Sequence, residues 1–324
     1  MRNPLLDIMK AIGIFLVIIG HNIQGVGYHY IYSFHMPMFF IIAGYFYKER
    51  NIVQSVKHDF IRILIPYFVY LVMIAVLGYI TRGISLGRVI SDILKILWGS
   101  VVRIDVLGHH VQGIGYIWFL PALFTCKNVF NALYVWWKRS NEKLSHIFYI
   151  CVIVLVSLGI LIHKQLFPLP FALTTGLNAL GYFTIGYIIR SWFKDISVVD
   201  NIAWYFRSLI VVVYVAIGWY TLNGMGTCDY SFLPLDYVAG ISGTITCYYF
   251  SEWLNKVSKY IGNVLSIIGQ YTISILIIHQ FIASYAGTIN LQGKHVLLVL
   301  ITICIAVLYI FVHYSINSRC KSVK

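Results

Sequence analysis

The chain has 324 residues, of which 60% are apolar and only 11% charged. A soluble domain carries about 45–50% apolar and about 25% charged residues, so this composition excludes a soluble globular enzyme, a disordered chain and a secreted disulfide scaffold. Lys and Arg outnumber Asp and Glu by 24 to 11, a formal net charge of +13. In a soluble chain that excess would favour nucleic acid. In a polytopic membrane protein it reports topology instead, and the expected partners are membrane lipids with no nucleic acid. A spanning helix takes about 20 residues, so the chain holds roughly ten spans and no separate soluble domain. Residues 1–324 therefore read as one membrane-embedded domain, an all-α bundle.

In chain order, apolar runs fall near 5–24, 31–47, 61–80, 114–137, 147–163, 171–190, 208–223, 231–251, 261–286 and 294–316. The run 31–47 is short, and 231–251 contains Asp236. The first run lacks a small-residue cleavage pattern and reads as a retained span. With the N-terminus in the cytoplasm, 17 Lys and Arg residues fall on the cytoplasmic side and 6 on the other, with Lys127 inside a span. That bias predicts cytoplasmic N- and C-termini, an even span count and a multi-pass protein of the cell's inner (plasma) membrane. The longest loop, 81–113, repeats Leu86, Val89, Ile90, Ile93, Leu94, Leu97 and Val101 at helical spacing. This predicts an amphipathic helix in the membrane interface. The six cysteines, Cys126, Cys151, Cys228, Cys247, Cys304 and Cys320, form no CxxC pair and read as small apolar residues.

Ionisable residues inside spans are costly and mark functional hypotheses. The first span carries Asp7, Lys10 and His21. Lys10 and His21 are eleven steps apart, which returns to within about 20° of the same helix face, with about 16 Å between them. Asp7 and Lys10, three apart, can pair. A structural pair snorkelling to the surface is an equal reading for these two. After a short turn at 25–30, His35 precedes Pro37, placed in the first turn of the second helix, at the same level as His21. Two imidazoles at one level can form an acid/base site; the alternative is that His35 caps a helix or bonds a carbonyl. Arg62 lies at the start of the third run and could bind phosphate. His279 lies inside a late span, where an interhelical hydrogen bond is the plain alternative. His109 and His110 sit near Asp105 in the long loop, and adjacent residues rarely offer joint metal geometry; no metal is expected.

Five of these features, in order, resemble the acyltransferase 3 family of integral membrane O-acyltransferases. A basic residue, ten intervening residues and a histidine appear as Lys10 and His21. An F-H-M-P-L-F-F-like run followed by glycine appears as Phe34 to Phe40 and Gly44. A basic residue before a Leu-Ile-Pro-Tyr-like stretch appears as Arg62, Leu64, Ile65, Pro66 and Tyr67, and a W-F-L segment as Trp118, Phe119 and Leu120. A late G-x-x-S/T-I-x-I-L-x-x-H pattern runs from Gly269 to His279. Some members carry a second arginine three positions before the one matching Arg62; Asp59 stands there in this chain, so that contact does not carry over.

The wording around Phe34–Tyr45 looks most like the branch that O-acetylates sugars of surface polysaccharides. The resemblance implies transfer of an acyl group from cytoplasmic acyl-CoA, usually acetyl-CoA, to a hydroxyl of a surface or lipid-linked saccharide. It implies catalytic roles for His21 as general base and for His35 in orienting it or the acceptor. Lys10 and Arg62 would hold the CoA phosphates, with Asp7, Trp118 and His279 in support. Two rival classes fit the same polar stripe. One is a transporter or flippase of a lipid-linked saccharide, which would need no chemistry and often shows inverted repeats, not found here. The other is a non-catalytic subunit of polysaccharide synthesis or export, in which His21 would tolerate substitution. The acceptor sugar and the oligomeric state stay open at this level.

Overall fold

The computed structural model describes residues 3–22, 27–106, 108–140, 145–165, 168–193, 202–221, 223–285 and 295–322. Its elements are α1 (Pro4–Asn22), α2 (Gly27–Tyr45), α3 (Ile52–Asp59), α4 (Ile65–Arg82), α5 (Leu86–Trp98), β1 (Ile104–Val106), β2 (His109–Val111) and α6 (Phe119–Arg139). They continue with α7 (Ser145–Gln165), α8 (Leu173–Phe193), α9 (Trp204–Gly218), α10 (Leu233–Val257), α11 (Lys259–Ile268), α12 (Thr272–Tyr285) and α13 (His295–Ser322). A π-helical turn, Phe60–Leu64, joins α3 to α4 as one rod. Each of the ten apolar runs overlaps one or more of these helices. By length and hydropathy, four stretches among the described residues can cross a membrane: Pro4–Asn22, Ile52–Ile80, His146–Gln165 and Pro170–Trp192. A fifth is the pair α11 and α12, bent by 69° at its break. The chain is a helical polytopic membrane protein.

Local chemistry starts the helices where the sequence provides it. The Asn3 side chain accepts from the Leu5 and Leu6 N–H groups at 3.0 and 3.4 Å, and Pro4 occupies the first turn, where its missing donor costs nothing. Ser85 caps α5 through the Arg88 N–H, and Gly99, at φ 64°, closes it in the left-handed conformation. The amphipathic helix expected in the 81–113 loop is α5: Leu94 is buried, while Leu86 and Ile93 remain exposed. The remainder of that loop folds into an antiparallel hairpin, β1–β2, that the sequence did not announce. Three-residue strands are too short to show an alternating pattern.

Two expectations are corrected. Pro37 does not start the second helix: α2 begins ten residues earlier, at Gly27, and Pro37 lies in its interior. The N-terminal part of α2, Gly27–Phe34, is rich in Tyr and His, so hydropathy shortened it. The run 261–286 is not one helix, because it breaks between α11 and α12. Gly269 sits against the carbonyl oxygen of Asp7 in α1, and a Cβ there would collide with it. The chain turns at this point of close approach.

Burial is arranged as lipid requires. The central helices α2 and α8 pack most extensively on each other. Gly44 of α2 faces the Phe183 carbonyl of α8, and Gly186 of α8 faces the Ile41 carbonyl of α2, so a side chain at either position would strike backbone. Small residues at such crossings let helices approach closely, which substitutes for a hydrophobic driving force absent between helices in lipid. Beside this crossing, the ring of Tyr47, just after α2, and those of Phe130, Phe148, Phe183 and Tyr187 from α6, α7 and α8 interlock. The outer faces are apolar: Val69, Val72 and Val76 on α4, Ile150 and Ile153 on α7, and Val212 and Val215 on α9 are all exposed. From Ser33 to Tyr45 most residues of α2 are buried in the bundle, His35 among them.

Replacing Gly186 or Gly44 by Leu forces α2 and α8 apart. Overpacking of this kind costs about 1–3 kcal/mol or more. Thermal unfolding in detergent should show a clear fall in midpoint for both. Gly78→Leu, where a Cβ would meet nothing within 4 Å, should leave it near wild type.

Candidate active site

One stripe of α1 carries Lys10, Ile14, Val17 and His21 at helical spacing. The last three line a cavity of about 380 Å³. From α2 come Tyr28, Tyr32, His35 and Phe39; from the turn before α6 come Tyr116 and Trp118, and from α6 itself Phe119; Thr272, Ile273 and Leu276 come from α12. The segment 223–227 completes the wall.

Three histidines from three helices converge here. The His21 and His35 rings lie 6.5 Å apart edge to face. The His21 and His279 rings lie 6.0 Å apart and nearly parallel. Tyr116 stacks on His21 at 3.5 Å and lies parallel to His279 at 5.2 Å. Its backbone N–H donates to Gln280 Oε1 at 2.5 Å, which ties the 115–118 turn to α12.

The partners of each ring are specific. His21 Nδ1 meets the Tyr32 hydroxyl at 2.6 Å, and the Tyr32 ring stacks on Tyr28 at 4.1 Å. His35 Nδ1 donates to the Ile31 carbonyl at 2.6 Å, which leaves the lone pair on Nε2. The carbonyl reading of His35 is therefore realised without excluding a chemical role for its other nitrogen. His279 is 1% exposed, and neither ring nitrogen has a hydrogen-bond partner. Among the described residues no interhelical hydrogen bond to His279 is formed.

Pro37 shapes this site through what it lacks. Without an N–H, it leaves the Ser33 carbonyl free one turn earlier. Asn223 Nδ2 takes that carbonyl at 3.4 Å and also donates to Tyr182 Oη at 2.6 Å and to the Asp236 carbonyl at 3.3 Å. Two carbonyls around Nδ2 fix the orientation of the amide. Asn223 Oδ1 is left buried without a partner. Asp236, inside the eighth run, accepts the Phe232 N–H through Oδ2 at 2.9 Å at the start of α10. Nearby Cys228 is fully buried, and burial pushes its thiol up to about 12, so it is no nucleophile at neutral pH.

The other residues singled out in the sequence fall as follows. Asp7 and Lys10 pair at 2.7 Å one turn before Ile14, with Asp7 buried. Trp118 is buried and lines the cavity. Arg62 is exposed on the π-helical turn and is not among the cavity-lining residues. His110 pairs with Asp105 across the exposed hairpin, outside the cavity. Tyr28, Tyr32, Tyr116 and Asn223 went unnoticed in the sequence. Tyr28, Tyr32, His35 and Phe39 share one helical stripe, a pattern hidden by placing the start of α2 too late.

The chain matches the family described as Acyltransferase domain over residues 3–315. It belongs to the acyltransferase 3 family. No curated protein and no solved structure matches it significantly. Membrane acyl transfer needs a group that can move a proton beside the reacting carbonyl, and imidazole is a side chain suited to that task. The match extends across α1, α2, α6 and α12, which supply the histidines and the aromatic wall.

Two outcomes follow from these contacts. Tyr32→Phe removes the hydrogen bond to His21; bonds to a group that becomes charged contribute about 1.5–3 kcal/mol, so acyl transfer should fall about 10- to 100-fold with little change in folding. His279→Leu removes two buried nitrogens that bond to nothing, and leaving such groups unsatisfied costs about 1–3 kcal/mol. Its thermal midpoint should rise, whereas a fall would show that His279 is a structural tie.

Proposed function

We propose that this protein is an O-acetyltransferase of the plasma membrane. It moves an acetyl group from cytoplasmic acetyl-CoA to a hydroxyl of a cell-surface or lipid-linked saccharide. The reading is supported by His21, held by Tyr32 at the wall of a cavity inside the bundle. With both termini in the cytoplasm, as the basic residues favour, His21 lies toward the outer side and the start of α1 toward the donor. Lys10 and Arg62 are the cations on the donor side.

In this scheme Tyr32 accepts the His21 Nδ1–H, and Nε2 takes the proton of the sugar hydroxyl as its oxygen attacks the thioester carbonyl. The tetrahedral intermediate collapses with cleavage of the C–S bond, and the imidazolium returns the proton to the departing thiolate. His35, with its Nε2 lone pair 6.5 Å ring to ring from His21, orients the acceptor hydroxyl. Asn223 Oδ1 offers a further acceptor for a sugar hydroxyl in the cavity wall. The aromatic and apolar lining limits water, which would otherwise compete with the sugar for the thioester.

Removing a general base typically costs about 10²–10⁴-fold in rate. His21→Ala should therefore abolish O-acetylation of surface glycans, read by mass spectrometry, while protein level and membrane insertion stay normal. Wild-type acetyl content in that mutant would sink the proposal, and would favour a flippase or an accessory subunit.

A further inference from the structure

A second cavity lies on the same seam between α2 and α6. It has a volume of about 160 Å³ and is bordered by Ala43 and Phe46, by Leu123, and by Lys48, Arg50 and Lys127. On α2, Phe39 of the histidine cavity and Ala43 of this one are four residues apart. On α6, Phe119, Leu123 and Lys127 follow at the same spacing. The two cavities therefore lie at successive levels of the same helix faces, with about 12 Å of helix from Phe119 to Lys127. Between them the Phe39 and Phe119 rings meet at 5.8 Å. Phe39 also reaches Gly13 of α1, where any side chain would press on the ring.

The lower cavity is a built site. Asn131 of α6, 1% exposed, clasps the segment that carries its cations. Its Nδ2 donates to the Arg50 carbonyl at 3.0 Å, and its Oδ1 accepts from the Arg50 N–H at 3.2 Å and the Tyr47 hydroxyl at 2.9 Å. Lys127 Nζ reaches Asp59 Oδ1 at 2.6 Å, and Asp59 is 1% exposed. That pair neutralises the one carboxylate on the wall. Lys48, exposed, and Arg50, half-buried, have no ion-pair partner among the described residues, so the cavity carries a net positive charge. A cavity of this kind recognises a compact polyanion, and phosphate oxygens match both guanidinium and ammonium donors.

We infer that the Lys48–Arg50–Lys127 cavity binds a diphosphate group. On the function proposed above, on which this part rests, it takes the diphosphate of acyl-CoA while the pantetheine arm threads the α2–α6 seam past Phe39 and Phe119 to the histidines. This places the donor's phosphates at residues that no sequence motif marked.

The test is binding of coenzyme A, and separately of inorganic pyrophosphate, to the purified full-length protein in detergent by calorimetry. Wild type is compared with the double variant K48Q/R50Q. Lys127 is left in place, because its loss would strand the buried Asp59. Charged hydrogen bonds contribute about 1.5–3 kcal/mol each, so both ligands should bind about 10- to 100-fold more weakly to the variant, and the KM for acetyl-CoA should rise in parallel. Equal coenzyme A affinity and KM in the two proteins would overturn the site while leaving the acetyltransferase reading intact. Failure of pyrophosphate to bind wild type would overturn it as well. If pyrophosphate binds wild type and not the variant, yet coenzyme A binds neither, the diphosphate site stands and the donor assignment falls.

Discussion

The cavity depends on one hydrogen-bonded junction, the Asn223 side chain at the meeting of α2, α8 and α10. Its Nδ2 serves the Ser33 carbonyl freed by Pro37, the Tyr182 hydroxyl and the Asp236 carbonyl. Tyr182 in turn donates to the same Asp236 carbonyl at 3.2 Å. Inside a bundle surrounded by lipid no solvent can satisfy a broken backbone bond, so an interior proline needs a partner from elsewhere in the protein. The partner it finds also anchors the segment 223–227 over the histidines. A helix defect and a cavity wall are thus the same feature.

The bundle can hold polar groups at its centre because its packing is decided by shape. Gly44 and Gly186 bring α2 and α8 into backbone contact, and that fixes α2 within the bundle. There α2 can carry Tyr28, Tyr32 and His35 on the face that lines the cavity. The same logic runs to the other end of the seam, where Lys127 and His58 both reach Oδ1 of the buried Asp59. Pairing of this kind is a condition for burying charge, and it is the reason that Lys127 can sit inside a helix that the hydropathy pattern treats as a span.

The chemistry is spread over several elements and becomes a site only when they meet. His21, His35 and His279 are separated in sequence by up to 258 positions, yet their rings stand within 6.5 Å of His21. Tyr116 is the connecting surface, stacked on one ring and parallel to another. The break between α11 and α12 contributes as well. It lets α11 pack beside the start of α1 while α12 turns to deliver Thr272, Ile273 and Leu276 to the cavity and His279 behind them.

Composition alone determined that this is a helical membrane protein. The spacing of Lys10 and His21, with the runs around Phe34 and His279, was enough to point to the acyltransferase family and to the imidazoles. The Asp7–Lys10 pair and the amphipathic α5 were also legible, because both rest on contacts within one helix, where sequence spacing is spatial spacing. Tertiary structure alone decided the start of α2, the break at Gly269 and the hairpin. It also decided the roles of Tyr32, Tyr116 and Asn223 and the cationic cavity around Arg50. Each of these depends on a partner distant in sequence: a carbonyl that excludes a Cβ, an amide that replaces a lost donor, or a ring that stacks on another helix. Hydropathy measures what a segment would prefer in lipid, and it cannot see that α2 from Ser33 to Tyr45 is mostly buried against other helices.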